Sequence, residues 1–282
     1  YKLNVYEIPE GKRQSRGTAI VNLVQLDPDE KITATIPVSR QCEFKYLMMA
    51  TEKGLVKKTQ LCHFENTRKN GLIAITLKEG DELISVRHAD PGHHVMLTTA
   101  RGIGIRFEAD ELRETGRTSM GVRGIRLAKG DRVVTMEVLE PNQEADLLVV
   151  SEKGFGKRTK VSQYRVQARG GKGLYTYYYS EETGELVGAR ITTDEDEVML
   201  INQDGSIIRL AVATISQVGR RTKGVRLMRA DEDHLLISMA LVPHREEEEA
   251  EESIEADDSI EASLEEGIED IIVASTEEEP EE

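Results

Sequence analysis

A register of glycines, repeated about every 50 residues, limits what this chain can fold into more than any other feature. Four segments align without gaps: YLMMATEKGLVKKT (46–59), HVMLTTARGIGIRF (94–107), DLLVVSEKGFGKRT (146–159) and EVMLINQDGSIIRL (197–210). Each is an apolar run, a polar pair, a glycine and a second run ending in cations. The glycines, Gly54, Gly102, Gly154 and Gly205, stand 48, 52 and 51 residues apart. A polar residue followed by glycine between two β-rich runs predicts a tight hairpin, because the turn needs a positive φ.

Two further elements recur in phase. One is a basic loop closing on a glycine and opening into a strand: RQSRGTAIVNL (13–23), TRKNGLIAITL (67–77), RTSMGVRGIRL (117–127), ARGGKGLYTYYY (168–179) and RRTKGVRLMRA (220–230). Its glycines are Gly17, Gly71, Gly121, Gly173 and Gly224. The other is a turn and a strand: DEKITATIPV (29–38), GDELISVRHA (80–89), GDRVVTMEVL (130–139), GELVGARIT (184–192) and DHLLISMALV (233–242). About four strands per unit predicts an all-β, propeller-like disc of four-stranded blades, with about four and a half blades visible. No stretch of the body holds a 3.6-residue period, so helical solenoids are excluded. YKLNVYEIPE (1–10) matches the end of a hairpin, VKKTQLCHFE (56–65), without its first strand, so the chain reads as a fragment of a longer protein.

Composition sharpens this picture. Trp is absent and aromatics are 4% of 282 residues, so the core must come from Val, Ile, Leu and Met. The formal net charge is −15, but residues 246–282 hold 19 acids and no Lys or Arg. Without them 33 acids face 37 bases, about +4. The expected division is a mildly basic disc over 1–243 and an acidic, largely disordered tail over 244–282. The tail either keeps the chain in solution or competes in cis for the basic rim. No window is long and apolar enough for a membrane span, and no export leader opens the chain. Cys42 and Cys62, without a CxxC partner, read as reduced thiols of a cytosolic protein.

Because the basic loop recurs once per blade, its cations are expected along one perimeter, joined by those that follow the hairpin turns. The candidate contacts are Arg13, Arg16, Lys57, Lys58, Arg68, Lys69, Arg106, Arg117, Arg123, Lys157, Arg158, Arg169, Gly170, Gly171, Lys172, Gly173, Arg220, Arg221 and Lys223, with Arg209 in register. A curved rim of cations suits a polyanion that bends around it. The loops carry no aromatic residues for stacking unpaired bases, so duplex backbone is the better match. Glycines in the loop QARGGKG (167–173) are expected to let backbone amides approach phosphates, with Arg169 and Lys172 supplying charge. The competing readings are a solvated surface and a protein-interaction propeller whose rim meets an acidic partner. A nucleotide loop is excluded, since Lys172 leads into a strand and no helix N-terminus follows. His93-His94 has no surrounding ligand pattern, and no Ser/His/Asp or paired-carboxylate arrangement points to catalysis or to a metal or cofactor held by this chain.

The motifs YEIPEGKRQSRGTAIVNL, TEKGLVKKT, GDELISV, SMGVRGIRL, SEKGFGKRT, YRVQARGGKG and VGRRTKGVRLMR, with the acidic tail, closely resemble the C-terminal domain of the bacterial DNA gyrase A protein. The resemblance covers residues 1 to about 243. It implies a six-bladed β-pinwheel with strand-swapped blades that wraps duplex DNA with positive handedness. It further implies a place in an ATP- and Mg-dependent type II topoisomerase, an isomerase built from two gyrase A and two gyrase B subunits, cytoplasmic and nucleoid-associated. The family's diagnostic box is Gln-basic-Arg-Gly-Gly-basic-Gly. Residues 167–173 are similar to it, but Ala168 replaces the first basic residue and the loop lies three blade loops after Arg13–Gly17. The box itself is therefore expected before Tyr1. The related topoisomerase IV domain remains the alternative within the family.

Overall fold

Repeated hairpins become sheets only if each one finds partners, and here it finds them partly from the next unit. The computed structural model describes residues 1–12, 17–24, 26, 30, 32–38, 45–68, 70–230 and 234–242, and the acidic tail lies outside them. The strands, in chain order, begin with β1 (Tyr46–Thr51), β2 (Leu55–Gln60), β3 (Leu83–Ala89), β4 (His94–Thr99) and β5 (Ile103–Glu108). They continue with β6 (Val122–Arg123), β7 (Val133–Leu139), β8 (Asp146–Ser151), β9 (Phe155–Lys160) and β10 (Leu174–Tyr175). The last are β11 (Leu186–Thr192), β12 (Glu197–Asn202), β13 (Ile207–Ala211), β14 (Val225–Arg226) and β15 (Leu236–Val242).

Among the described residues four sheets follow, giving a propeller-like arrangement of blades: β3-β1-β2-β6, β7-β4-β5-β10, β11-β8-β9-β14 and β15-β12-β13. The central hairpins are those the glycine register predicts, with Gly54, Gly102, Gly154 and Gly205 all at positive φ. A side chain at the end of the first strand braces each turn. Thr51 and Thr99 hydroxyls accept the N–H of Leu55 and Ile103, Ser151 that of Phe155, and Asn202 Oδ1 that of Ser206.

The outermost strand of each four-stranded blade is swapped. Residues 114–115, 166–167 and 217–218 run parallel to β2, β5 and β9, through bridges at Lys58–Glu114, Arg106–Val166 and Arg158–Gln217. The chain then turns through the basic loop and returns antiparallel as β6, β10 or β14. Glycine is required at that return. A Cβ on Gly173 would lie 2.7 Å from the Gly104 carbonyl oxygen, and one on Gly121 2.7 Å from that of Val56.

Blades pack face to face, so both faces of a strand are covered. All six residues of β4 and of β8 are buried, which explains continuous apolar runs instead of alternation. The core lies in three layers between successive blades: Met48, Val56, Leu97, Ile105 and Phe107 in the first, Leu147, Val149, Tyr164 and Tyr177 in the second, Leu148, Val198, Leu200 and Leu236 in the third. Inner strands β3, β7 and β11 meet through Ser85 Oγ donating to the Met136 carbonyl and the Ala189 N–H donating to Thr135 Oγ1.

The N-terminal unit differs from expectation. Among the described residues of 1–38 there are two 3₁₀ turns, Val5–Glu7 and Ile20–Asn22, and no strand. YKLNVYEIPE pairs with no first strand there, and a lone strand would leave its backbone groups without ladder partners. Tyr1 instead lies against Gly71, and Lys2 Nζ donates to the Glu65 carbonyl. Among the described residues no helix is long and apolar enough to cross a membrane.

Candidate nucleic-acid interface

The swapped segments touch one another in sequence and form a continuous band. Thr76 donates through its N–H to the Ser119 carbonyl and through its hydroxyl to that of Thr118. Gly170 N–H donates to the Gly124 carbonyl at 2.6 Å, and Arg126 N–H donates to that of Gly171 at 2.8 Å. Tyr178 N–H donates to the Thr222 carbonyl, and Arg220 Nη1 donates to that of Tyr175. The loops of four successive units are thereby brought onto one perimeter.

The expected cations divide into two groups on it. Arg68, Arg123, Lys172, Arg221 and Lys223 are exposed, and Arg117, Arg169 and Arg220 are half-buried. Arg169 is tied down by donation from its Nε to the Glu111 carbonyl and from Nη1 to that of Arg123, while Lys223 pairs with Glu182 at 2.9 Å. Arg221 lies over the Tyr175 ring, 5.2 Å from its centroid. Arg13, Arg16 and Lys69 lie outside the described residues. So does Cys42, whereas Cys62 is a free, exposed thiol.

Five candidates are corrected by burial: Lys57, Lys58, Arg106, Lys157 and Arg158 do not face solvent. They sit on β2, β5 and β9, strands covered on both faces, so cations there turn to protein acceptors. Lys58 Nζ donates to the Ala109 carbonyl and pairs with Asp110. Arg106 donates to His94 Nδ1 and to the carbonyls of Val161 and Pro141. Arg158 donates to the Ile215 carbonyl and pairs with Asp146 at 3.2 Å and with Asp194. Arg209, at the same position of the fourth sheet, is exposed and pairs with Glu197.

Lys57 (1% exposed) and Lys157 (0%) act differently, since each ammonium sits inside a basic loop and holds its carbonyls. Lys57 Nζ donates to Ala74 O at 2.6 Å and to Arg117 O. Lys157 Nζ donates to Gly219 O and Arg220 O, both at 2.7 Å, and to Thr222 Oγ1 at 3.2 Å. Burial, with Arg117 beside one and Arg220 beside the other, brings the pKa of each lysine down to about 8. In the intervening loop, QARGGKG, the equivalent position is Ile105, which offers no donor. A Cβ on Gly171 would lie 3.4 Å from Ile105 Cδ1, so the loop closes over an apolar side chain and is held by Gly170 and Gly171 backbone bonds to the neighbouring strand. The glycines expected to serve phosphate approach thus carry a structural duty as well. Gly170, Gly171 and Gly173 are needed to close the loop and to cross the β5 backbone.

Sequence reasoning missed the side chains that the swapped strands present. Arg126, Arg226 and Arg229 are exposed on the band, as are Tyr175, Tyr178 and Tyr179. The aromatic-free rim expected from the loops alone is corrected accordingly. For all of them but Tyr179 the signal was available as a fixed offset: the second and fifth residues after each loop glycine.

Comparison with known proteins agrees with this geometry. The family model described as "DNA gyrase C-terminal domain, beta-propeller" matches residues 1–39, 45–90, 93–140, 145–193 and 196–243, one segment per repeat. The DNA gyrase A protein of Staphylococcus epidermidis (strain ATCC 12228 / FDA PCI 1200) is 44% identical over 243 residues, 86% of this chain and 27% of that protein. The DNA gyrase A protein of Staphylococcus aureus (strain MRSA252) is 42% identical over 268 residues, 94% of this chain and 30% of that protein. The chain thus spans under a third of the length of these relatives. Among solved structures, the C-terminal domain of DNA topoisomerase IV superposes with a TM-score of 0.78 at 26% identity, covering 85% of this chain and 74% of that one. A DNA gyrase A C-terminal domain superposes with a TM-score of 0.74 at 26% identity, covering 86% and 78%. By its repeats, its blades and these matches, the chain belongs to the DNA gyrase C-terminal domain family.

Proposed function

We propose that this chain is a non-catalytic module that binds duplex DNA along the band of swapped segments and bends it around the disc. The observation that carries the reading is the continuity of that band, with Arg68, Arg123, Arg126, Lys172, Arg221, Arg226 and Arg229 exposed along it. Regularly spaced cations on a convex edge neutralise the inner face of a bent duplex, and each neutralised phosphate adds about −0.9 to the salt slope. Bending a 20–30 bp stretch by 40–90° costs roughly 1–6 kcal/mol, which several such interactions offset at moderate salt. Among the described residues no α-helix is available to enter the major groove, so sequence discrimination should be weak. In the whole enzyme the wrapped duplex would be handed to the gyrase core, with two gyrase A and two gyrase B subunits and ATP and Mg used there, to introduce negative supercoils. The nucleoid is the compartment that fits.

The test is equilibrium binding of a duplex at graded salt. Changing Arg123, Lys172, Arg221 and Arg226 to glutamine should lower affinity and flatten the salt slope by about 3 to 4 units, roughly 0.9 for each phosphate no longer neutralised. A slope equal to that of the unaltered chain would remove the band from the DNA path.

A further inference from the structure

In each swapped segment the side chains at the second and fifth positions after the glycine face solvent. Around the band these are Ile73 and Thr76, Arg123 and Arg126, Tyr175 and Tyr178, and Arg226 and Arg229. A tyrosine pair therefore stands between two arginine pairs at equivalent sites. Tyr175 is 56% exposed and Tyr178 58%, so neither ring is core. The pair is also locked to the loop beside it. The Tyr175 ring carries the Arg221 guanidinium at 5.2 Å, its carbonyl accepts from Arg220, and the Tyr178 N–H donates to Thr222. Arginines flanking the rings on both sides make an anionic occupant the complementary one.

We propose that Tyr175 and Tyr178 form a non-ionic grip on the same duplex, an inference that rests on the DNA-binding reading of the band. A phenol hydroxyl donates to a phosphate oxygen, and the ring covers the adjoining sugar. Such interactions position the backbone as arginine does but release no counterion, because the residue brings no charge. The tyrosine pair then supplies affinity that salt does not erode, while the cations around it supply the salt-sensitive part. Two exposed rings held beside fixed cations also keep few rotamers to lose on binding, since each has only two side-chain torsions.

The experiment uses the full chain and a duplex long enough to follow the band, titrated across salt. Tyr175→Ala with Tyr178→Ala should weaken binding by about tenfold at every salt concentration, with the slope unchanged; that factor corresponds to about 1.4 kcal/mol, close to the lower end for one hydrogen bond to a charged acceptor. Tyr175→Arg with Tyr178→Arg should recover binding at low salt and steepen the slope by about 1.8, two phosphates at 0.9 each. No loss in the alanine variant, or a loss that vanishes at high salt, overturns the grip. So does an arginine variant whose slope stays put. The matching arm, Arg123→Gln with Arg226→Gln, separates the grip from its premise. If that arm lowers the slope while the tyrosine changes do nothing, only the grip fails; if it leaves the slope unchanged, the DNA reading of the band fails with it. Unaltered circular dichroism melts for each variant exclude misfolding as the cause.

Discussion

Replacing Lys57 and Lys157 together with methionine should change how stability depends on pH in a way few surface substitutions can. Each ammonium is buried and titrates at about 8, against 10.5 in an unfolded chain. Between those values the unfolded state binds more protons, so stability must rise with pH through that window. Below about 8 both states are protonated and the full penalty of burying the charge is present. Above 10.5 both are neutral and the penalty is gone. Integrating from pH 7 to 9.5 gives about 2 kcal/mol per lysine, or about 4 kcal/mol for the pair. Burial raises Tyr164 to about 12, which lowers stability with pH only above about 10, outside this range.

The assay is urea unfolding followed by far-ultraviolet circular dichroism, as the chain has no Trp. Unfolding free energies of the unaltered chain and the Lys57→Met/Lys157→Met variant are compared at pH 7, 8, 9 and 9.5. Their difference should move by about 4 kcal/mol in favour of the unaltered chain as pH rises. Single variants should each show about half. Parallel profiles would mean that the ammonium groups are solvated, and the lysines could not then be loop clamps.

The same packing sets two further stability differences. Gly173→Ala places a Cβ 2.7 Å from the Gly104 carbonyl at a φ of +74°, whereas Gly205→Ala meets nothing within 4 Å at a φ of +80°. The second should lose about 1–2 kcal/mol from the left-handed backbone alone and the first at least about 2 kcal/mol more, read as shifts in denaturant midpoint; equal losses would contradict the crossing of strands at Gly104. Asp146→Ala removes the buried partner of Arg158 and an acceptor of Gln217 Nε2 at 2.8 Å. It should destabilise by about 3 kcal/mol by leaving a buried guanidinium with only its outer carboxylate, and a loss below about 1 kcal/mol would show Asp194 to be sufficient.

Hairpins and blades were legible in the sequence because their demands are local. A glycine at positive φ and a polar residue bracing it act within a few residues, and their recurrence exposes the period. The loop cations were legible as a set but not as individuals. Lys57 and Lys172 both follow or flank a glycine in a basic segment, yet one is sealed between blades and the other faces water. The partner surface decides between them, and that surface belongs to residues about 50 positions away. The tyrosine pair escaped notice for the complementary reason: Tyr175 to Tyr179 read as a β-forming run, while their exposure depends on β10 being the outer strand of a blade built mostly from the preceding unit.

Spacing alone was enough to establish the repeat and the hairpins, since these rest on backbone conformations that one residue type supplies. Which cations face outward had to wait for the packed blades, because a swapped strand covers β2, β5 and β9 and turns their lysines and arginines to carbonyls. The same packing gives QARGGKG a structural part: the loop closes over Ile105, and its glycines lie against the neighbouring backbone.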